Sequence, residues 1–445
     1  MKIHTISGYN EVGKNMTALE IDEDVILFDC GLFLPAIVGV EEREKIPTER
    51  GMREIGALPD DLYLDEKGLR KKVRALVVSH AHLDHVGAVP YCAYRYDADV
   101  VGTPFTMELL RILMEDNDQR INNKIVKVKV NGSYTARGKS GNYRIEFISI
   151  THSTIQCAVI AVHTKKGIVL YVNDYKLDNS PVLGDKPNYK RLRELSRSGV
   201  KVMIVDSLYA PEEVKTPSEK IARGLLEDVL FGTENRNSAI IVSTFSSHIA
   251  RLKSIAEFGR RLNRKVVILG RSMNKYLTAA RNVGQVSFLK DVKIASYRKQ
   301  VEKVLKDANR NRNKYLIVCT GHQGEPGAIL DRLSRDELPL KLQRDDHIIF
   351  SSRTIPSPIN EASKAQLEKR LKKFHVRIFD NVHVSGHGGR EDLRDLISLI
   401  KPKHIIPAHG DLKKTTAGVM LAEELGYKLG KDVHLMQNGK SLEIK

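Results

Sequence analysis

Ser79-His80-Ala81-His82-Leu83-Asp84-His85 follows directly on the apolar run at 75–78. In a packed core, three imidazoles and a carboxylate this close together would repel and desolvate one another, whereas a bound dication turns them into ligands. Side chains alternate along an extended segment, so His80 and His82 point to the same side. Asp84 and His85 follow where a helix could start, and they can reach a second ion. A solvated histidine-rich loop is the weaker alternative, and the segment predicts a metal site.

Further polar residues follow predicted strands elsewhere in the chain, where a second ion would find its ligands. Ligands gather at the carboxyl edges of strands in α/β layers, because loops are free there and the scaffold is rigid. A single aspartate in such a place is more often a turn or helix-cap residue. Its repetition in the same context, after a metal motif, favours one shared site. The candidates are Asp29, His152, Asp174, Asp206 and His409.

Composition agrees with several folded units and a polyanionic partner. The chain has 445 residues, and about 100–200 residues per domain suggests two or three units. Lys+Arg 72 against Asp+Glu 55 gives a formal charge of +17, which favours a phosphate-rich partner, although a basic proteome would give the same excess. The four cysteines form no C-x-x-C pair, which predicts reduced thiols in the cytoplasm. No apolar leader or spanning run is present, so neither secretion nor membrane insertion is expected.

The order of segments predicts one domain inserted into another. Strands and short helices alternate around the ligands up to Asp206, and a fresh α/β alternation with basic helical stretches then begins. The chain returns to a ligand-bearing strand end at His409. We therefore predict a metal domain made of 1–208 and 381–445, with an inserted domain at 209–380 that would cap the metals and leave a cleft.

The motifs together resemble a known family. The chain resembles the nuclease branch of the metallo-β-lactamase fold at Asp29, His80-x-His82-x-Asp84-His85, His152 and Asp174. The elements that resemble the β-CASP subgroup are Asp206, Ser385-Gly386-His387 and Pro407-Ala408-His409-Gly410. Within that subgroup the chain looks like the ribonuclease J family, in the short form found in archaea. The resemblance implies an α/β fold: a metallo-β-lactamase αββα sandwich with an inserted α/β β-CASP domain.

The resemblance also implies two Zn²⁺ per chain, for which Mn²⁺ or Mg²⁺ could substitute. The ligands implied for one ion are His80, His82 and His152, and those for the other are Asp84, His85 and His409. Asp174 is expected to bridge the two ions. Asp29 is expected to orient ligand imidazoles without binding metal itself, as outer carboxylates commonly do.

The residues expected to take part in catalysis are Asp84, His387 and Asp206. His387 is the candidate general acid for the leaving 3′ oxygen, or a clamp on the pentavalent phosphorus, with Asp206 setting its tautomer. His383 could carry part of that role. A 5′-monophosphate pocket is implied at Ser247, His248, Ser385, Gly386 and His387. Ser247 could instead cap a helix. Bacterial relatives more often show Ala-Ser-Asn at 246–248, and Ser where this chain has His322, so the contacts of that pocket would differ.

The predicted function is a zinc-dependent ribonuclease acting on single-stranded RNA in RNA decay and processing. It would work mainly as a processive 5′-to-3′ exoribonuclease preferring 5′-monophosphate ends, with only weak dimerisation through the catalytic core. One alternative is a β-CASP endoribonuclease of the mRNA 3′-end-processing type, and a DNA-directed relative also stays open. A thioesterase would need neither the insert nor Ser385-Gly386-His387. A catalytically inactive basic RNA-binding protein would be expected to have lost ligands.

Overall fold

The computed structural model describes residues 1–38, 48–355 and 358–445. The chain divides into two compact units. The first contains Met1–Asn179, Gly184–Thr216 and Gly386–Lys445, and the second contains Ser180–Leu183 and Pro217–Ser385. The first unit is therefore discontinuous in sequence, and the second lies between its parts along the chain.

Strands in the described ranges follow one another throughout both units. In chain order they are β1 (Lys2–Ser7), β2 (Met16–Ile21), β3 (Asp24–Phe28), β4 (Val73–Val78), β5 (Asp99–Gly102), β6 (Ile125–Lys127), β7 (Ser133–Arg137), β8 (Asn142–Ser149), β9 (Ala158–Thr164), β10 (Gly167–Val172), β11 (Val200–Asp206), β12 (Ile240–Ser243), β13 (Lys265–Leu269), β14 (Lys293–Ala295), β15 (Tyr315–Cys319), β16 (His347–Phe350), β17 (Arg377–Phe379), β18 (His404–Ala408) and β19 (Lys440–Glu443).

The α-helices range from single turns to helices of four turns. In chain order they are α1 (Leu34–Val38), α2 (Glu49–Glu54), α3 (Tyr63–Glu66), α4 (Leu83–Val86), α5 (Val89–Cys92), α6 (Pro104–Asp116), α7 (Tyr189–Ser198), α8 (Glu219–Gly232), α9 (Ile249–Arg261), α10 (Arg271–Asn282), α11 (Arg298–Arg310), α12 (Ile329–Ser334), α13 (Pro358–Lys372), α14 (Arg390–Ile400) and α15 (Leu412–Glu424). Within the described residues, no helix is long and apolar enough to cross a membrane.

The first unit is a sandwich of two sheets with helices outside. One sheet has the order β19-β1-β2-β3-β4-β5-β6 and the other β18-β11-β10-β9-β8-β7. Buried side chains of both sheets form one core, in which the rings of Phe28 and Tyr171 stack with centroids 4.9 Å apart. α6 packs on β5 and β6, and α7, α14 and α15 contribute to a second core on the outer face of the other sheet. β3 and β4 are almost wholly buried, which explains their continuous apolar runs.

The return segment of the first unit contributes one edge strand to each sheet. β18 pairs in parallel with β11 and ends one sheet, and β19 pairs antiparallel with β1 and ends the other. Each strand thus needs a partner on one side only.

The second unit contains a parallel sheet with the order β14-β13-β15-β12-β16-β17. Its core combines buried residues of this sheet with residues of α11, α12 and α13. The chain leaves β12 towards β13 on one side and leaves β15 towards β16 on the other. The carboxyl ends of these two neighbouring strands therefore flank a topological switch point, where open α/β sheets bind ligands.

The predicted fold class, an αββα sandwich with an inserted α/β domain, is confirmed. The sequence predicted domain boundaries at 208/209 and 380/381. In the structure the two units divide at Thr216/Pro217 and Ser385/Gly386. The structure also assigns Ser180–Leu183 to the second unit, which the alternation of strands and helices did not indicate.

Candidate metal centre

The predicted ligands lie at carboxyl ends of strands in the first unit. β3 and β4 are parallel neighbours, and they are followed by Asp29 and His80. β10, β11 and β18 also run parallel, and their ends carry Asp174, Asp206 and His409. The further ligand candidates are His82 ahead of α4, Asp84 and His85 within α4, and His152 after β8. The structure brings together the whole predicted ligand set.

Three of these residues take the left-handed backbone conformation. The φ angles of Asp29, Asp174 and His409 are 58°, 63° and 57°. This conformation costs an L-residue about 1–2 kcal/mol, and it persists where the surrounding structure holds it in place, often at functional sites. Each residue directly follows a strand, so the turn changes the direction of the chain at the point where a polar side chain is needed.

One group of ligand atoms contains His80, His82, His152 and Asp174, all within 4.8 Å of one another. His82 Nδ1 lies 3.1 Å from His80 Nε2 and 3.0 Å from His152 Nε2. Asp174 Oδ2 lies 3.3 Å from His80 Nε2 and 3.4 Å from His152 Nε2. Ligand atoms on a tetrahedral zinc stand about 3.3–3.6 Å apart at usual bond lengths. The spacing therefore fits one such ion.

A second group contains Asp84, His85, Asp174 and His409. His85 Nε2 lies 3.2 Å from Asp174 Oδ2 and 3.5 Å from Asp84 Oδ2. His409 Nε2 lies 3.6 Å from Asp174 Oδ1 and 3.8 Å from Asp84 Oδ2. The two groups share Asp174, so one carboxylate faces both sets of imidazoles.

The surroundings of Asp174 fit a bound cation. Its side chain is 1% exposed, and among the described residues its Oδ1 has no hydrogen-bond donor. Burying an ionised carboxylate is costly unless it is paired, hydrogen-bonded or bound to metal. The shared carboxylate and its ring of imidazoles therefore support a metal cofactor.

Burial sets the protonation of the ligand groups. It lowers the pKa of His80 to about 4 and the pKa of His152 well below its ordinary value, so both imidazoles are neutral, as metal ligands must be. Burial alone would raise the pKa of Asp174, but the imidazoles of His409 and His85 outweigh it and hold that pKa well below its usual range. His80 and His152 thus offer neutral nitrogens beside an ionised carboxylate. At His85, burial alone would lower the pKa, but the carboxylates of Asp174, Asp84 and Asp29 outweigh it and raise that pKa well above its ordinary value, so a metal ion would have to displace a proton there.

Asp29, the residue expected to orient ligand imidazoles, lies beside two of them. Its carboxylate accepts hydrogen bonds from Ser79 N at 2.7 Å and Ser79 Oγ at 2.9 Å. Its Oδ2 also lies 2.7 Å from His85 Nδ1. Ser79 Oγ in turn lies 3.0 Å from His80 Nδ1. One buried carboxylate therefore reaches an imidazole of each ligand group, and it is not itself in either group.

Asn15 is the orienting residue that the sequence analysis missed. Its Oδ1 lies 3.0 Å from His409 Nδ1 and accepts from Asn173 Nδ2 at 3.1 Å. Its Nδ2 donates to the carbonyl of Asp84 at 3.0 Å. Asparagine is common in loops, and nothing in the sequence around Asn15 distinguished it. The carbonyl of Gly386 has a similar role, 2.7 Å from His152 Nδ1.

Gly31 allows the segment after β3 to approach the ligand helix closely. A Cβ atom at Gly31 would lie 1.6 Å from the carbonyl oxygen of Asp84. Cys30 N donates to the carbonyl of His85 at 2.8 Å, and Gly31 N donates to that of Asn15 at 3.1 Å. The backbone of the metal motif is therefore held directly by backbone, with no room for a side chain.

His387 and Asp206 form a pair beside the metal ligands. His387 Nδ1 lies 2.7 Å from Asp206 Oδ2, and His387 Nε2 lies 3.9 Å from Asp174 Oδ2. Burial by itself would lower the pKa of His387, but the carboxylates of Asp174 and Asp206 raise it to about 9. His383 belongs to the second unit, where its Nδ1 lies 3.4 Å from Arg251 Nη1.

The residues predicted to bind a 5′-phosphate are divided between the units. Ser247, His248 and Ser385 belong to the second unit, and Gly386 and His387 to the first. His248, not Ser247, is the residue at the N-cap of α9, and it makes no side-chain capping hydrogen bond. Its Nε2 lies 3.4 Å from Glu219 Oε2, and the side chain is 3% exposed.

Three sequence families match the chain in succession. The family described as the metallo-β-lactamase superfamily matches residues 9–194. The ribonuclease J β-CASP domain matches residues 237–367, and the Zn-dependent metallo-hydrolase RNA specificity domain matches residues 373–436.

Relatives named ribonuclease J match over the full length of this chain. Ribonuclease J of Methanocaldococcus jannaschii is 40% identical, covering 100% of this chain and 99% of that protein. Ribonuclease J of Pyrococcus abyssi is 40% identical, covering 100% of this chain and 97% of the relative. Ribonuclease J of Helicobacter pylori is 30% identical, covering 100% of this chain and 61% of that protein.

A solved structure has the same fold. The crystal structure of a protein of unknown function from Enterococcus faecalis V583 superposes with a TM-score of 0.67 at 16% identity, covering 99% of each chain. At that identity the likeness concerns the fold alone.

Proposed function

Because the chain belongs to the ribonuclease J family and is a metal-dependent ribonuclease, we propose that it uses two zinc ions to degrade single-stranded RNA from the 5′ end. The resemblance seen in its motifs is thereby confirmed. The observation that carries the two-ion proposal is Asp174, which belongs to both groups of ligand atoms.

In this proposal the ligands divide as the two groups do. His80, His82 and His152 hold one zinc, and Asp84, His85 and His409 hold the other, with Asp174 between them. Mn²⁺ or Mg²⁺ could substitute. Two such ions acidify a water molecule and stabilise the attacking and leaving oxygens of an in-line phosphoryl displacement. Asp29 and Asn15 keep His85 and His409 turned so that the Nε2 atoms face the shared carboxylate.

His387 is proposed as the general acid. Asp206 accepts a hydrogen bond from His387 Nδ1 and so leaves Nε2 as the atom that faces the substrate. Asp206 continues to favour the protonated imidazole when Asp174 is engaged by metal, and that imidazole can deliver its proton from Nε2 to the leaving 3′ oxygen. The alternative role, a clamp on the pentavalent phosphorus, uses the same orientation.

The 5′-monophosphate pocket is proposed at Ser247, His248, Ser385, Gly386 and His387. The start of α9 supports it, because the partial positive charge at a helix N-terminus favours an anion. A pocket that holds the terminal phosphate measures the cut from the end of the RNA, which would explain exonuclease action.

The first expected result concerns where the RNA is cut. A 5′-labelled, monophosphorylated linear RNA should release labelled mononucleotide from the first turnover, without a ladder of internal fragments on a denaturing gel. A 5′-hydroxyl RNA should react about tenfold more slowly or worse, because charge-assisted hydrogen bonds to the phosphate are lost. Changing both Ser247→Ala and Ser385→Ala should shrink that difference while the zinc content stays the same.

A matched control for these two changes is Ser254→Ala with Ser334→Ala. Both serines are buried in the second unit, and neither belongs to the proposed pocket, so the preference for a 5′-phosphate should persist. Circular RNA cut as readily as linear RNA would show that no end is needed. The endonuclease alternative would then replace the proposal.

RNA affinity should fall steeply with salt. The chain carries a formal charge of +17, and each phosphate neutralised on a single strand contributes a slope of about −0.7 to log K against log[salt]. A titration of a single-stranded RNA at several salt concentrations should therefore give a slope of several units. An affinity independent of salt would contradict binding along a positively charged track.

The remaining details of the assignment are proposals of the same kind. All four cysteines are free and buried, which supports a reducing compartment, the cytoplasm, and a role in RNA decay and processing. The domain boundaries at 208/209 and 380/381 stay predictions of the sequence, beside the unit boundaries at 216/217 and 385/386 in the structure. A homodimer formed through the catalytic core stays a prediction of the sequence.

A further inference from the structure

The switch point of the second unit carries polar groups that the proposed reaction does not use. Phe245, His322 and Ser352 follow β12, β15 and β16, three neighbouring strands of its parallel sheet. The carboxyl ends of β15 and β16 are about 10 Å apart, with the end of β12 between them. All three residues therefore lie at the same edge of the sheet.

His322 is buried without a hydrogen-bond partner. The residue as a whole is 3% exposed. Neither Nδ1 nor Nε2 has a hydrogen-bond partner among residues 1–38, 48–355 and 358–445. The ring meets Phe245 edge-on, with centroids 4.2 Å apart. A buried polar group left unsatisfied costs about 1–3 kcal/mol. The Oγ of Ser352, a residue 5% exposed, is likewise without a partner in those ranges.

Several contacts of neighbouring residues fix the backbone of the loop that carries His322. Gly321 and Gly324 have positive φ angles of 111° and 76°, and a Cβ at Gly324 would lie 2.3 Å from the carbonyl oxygen of Ser363. Gln323 N donates to Glu325 Oε2 at 2.9 Å, and Gln323 Oε1 accepts from Ile355 N at 2.8 Å. The unsatisfied imidazole is therefore a fixed feature of this loop.

The chemistry of the group favours a neutral ligand with both donors and acceptors. Burial lowers the pKa of His322 to about 4, so the ring is neutral and offers one donor and one acceptor. A phosphate would need a cation or several donors, whereas a nucleobase edge presents donors and acceptors side by side. The half-buried ring of Phe245 adds an aromatic surface, which bases use for stacking.

We propose that His322 and Ser352 bind the edge of one nucleobase of the RNA substrate, with the ring of Phe245 supplying a stacking surface. This inference rests on the proposed ribonuclease function and adds to it a base-contacting subsite in the second unit. It makes His322 a residue that senses the presence of a base at one position of the RNA.

The test combines protein variants with RNAs that lack one base. Monophosphorylated RNAs, each with a single abasic nucleotide at a different position near the 5′ end, are degraded by the zinc-loaded enzyme, and kcat/KM is measured. For the unaltered protein, one abasic position should lower kcat/KM about tenfold. His322→Leu should lower kcat/KM on intact RNA by a similar factor, and should lose no more when that same base is missing.

Two further variants keep the experiment decisive. Ser352→Ala is a small change that leaves the core filled. It should also lower kcat/KM on intact RNA, and it should cause no further loss on the RNA that lacks the same base. His347→Leu is the matched control, because His347 lies at the start of β16 and its ring nitrogens lie 3.0 Å from Thr233 Oγ1 and 2.9 Å from the carbonyl of Asp345. His347→Leu should lower the thermal midpoint, whereas His322→Leu should not, since it removes an unsatisfied group.

The outcomes are distinguishable. One contrary result is that His322→Leu lowers kcat/KM by the same factor on intact RNA and on every abasic RNA. In that case no base contacts this residue, and the inference is overturned while the ribonuclease function stands. If no abasic position affects the unaltered protein, the inference is likewise overturned. Failure of the unaltered protein to degrade any intact RNA would overturn the proposed function and this inference with it.

Discussion

Replacing Asp174 by alanine is expected to abolish RNA hydrolysis, with kcat falling by about 10³-fold or more, because its carboxylate serves both proposed ions. The zinc content of protein purified without chelator should fall from close to two equivalents per chain towards zero. His85→Ala removes a ligand from one group only, so it should leave one ion weakly bound and hydrolysis nearly abolished. Metal analysis by mass spectrometry and a single-turnover assay measure the two effects.

Asp29→Asn provides the graded comparison for these ligand variants. Asp29 contacts ligand imidazoles but belongs to neither group of ligand atoms, and loss of such an outer partner typically costs about 10–100-fold in affinity or activity. Circular dichroism should confirm that each variant is folded. The two-ion mechanism would be wrong if the unaltered protein bound no transition metal tightly, or if His85→Ala kept full activity.

Glu219→Gln is expected to destabilise the second unit by about 3–5 kcal/mol, the usual effect of removing one partner of a buried ion pair. Arg251 is fully buried on α9, and its Nε and Nη2 lie 2.7 and 2.9 Å from the two carboxylate oxygens of Glu219. The variant leaves the guanidinium buried among neutral acceptors, which include Ser351, the carbonyl of Val382 and His383 Nδ1. Denaturant unfolding should show an earlier transition.

The same ion pair should make stability depend on acid pH. Burial alone would raise the pKa of Glu219, but His248 and Arg251 outweigh it and hold that pKa well below its ordinary value. The stabilisation is therefore present above the pKa of an unfolded glutamate, about 4.3, and is lost as pH falls below it towards the folded value. Glu219→Gln should lack this loss. Glu302→Gln, in the exposed pair with Arg298, should change neither the midpoint nor its pH dependence.

The sequence predicted those residues of the site that belong to short, recognisable stretches of the chain. The His80–His85 motif is contiguous, and the other ligands each follow an apolar run that could be recognised as a strand. Asn15 was missed because its hydrogen bonds to His409 and Asp84 join residues that only the fold brings together.

The second unit also contains contacts that the sequence alone does not predict. The sequence predicts a basic helical stretch at 249–263, yet Arg251 is 0% exposed and its partner Glu219 lies on α8. A charged residue gives no sign in the sequence of which face it occupies or whether a partner is present. His322 was noticed only as a departure from bacterial relatives, and its lack of hydrogen-bond partners required coordinates.

The position of β18 and β19 at sheet edges sets an order of assembly during synthesis. Roughly 235 residues separate Asp174 from His409, so translation at about 5–20 residues per second takes roughly 10–50 s to supply the last ligand. During that interval both sheets can form without their return strands, since an edge strand adds to one neighbour and displaces none. The ligand set stays incomplete until His409 has been synthesised, after the whole of the inserted unit. Any activity that needs the complete ligand set therefore has to wait until the inserted unit has been made.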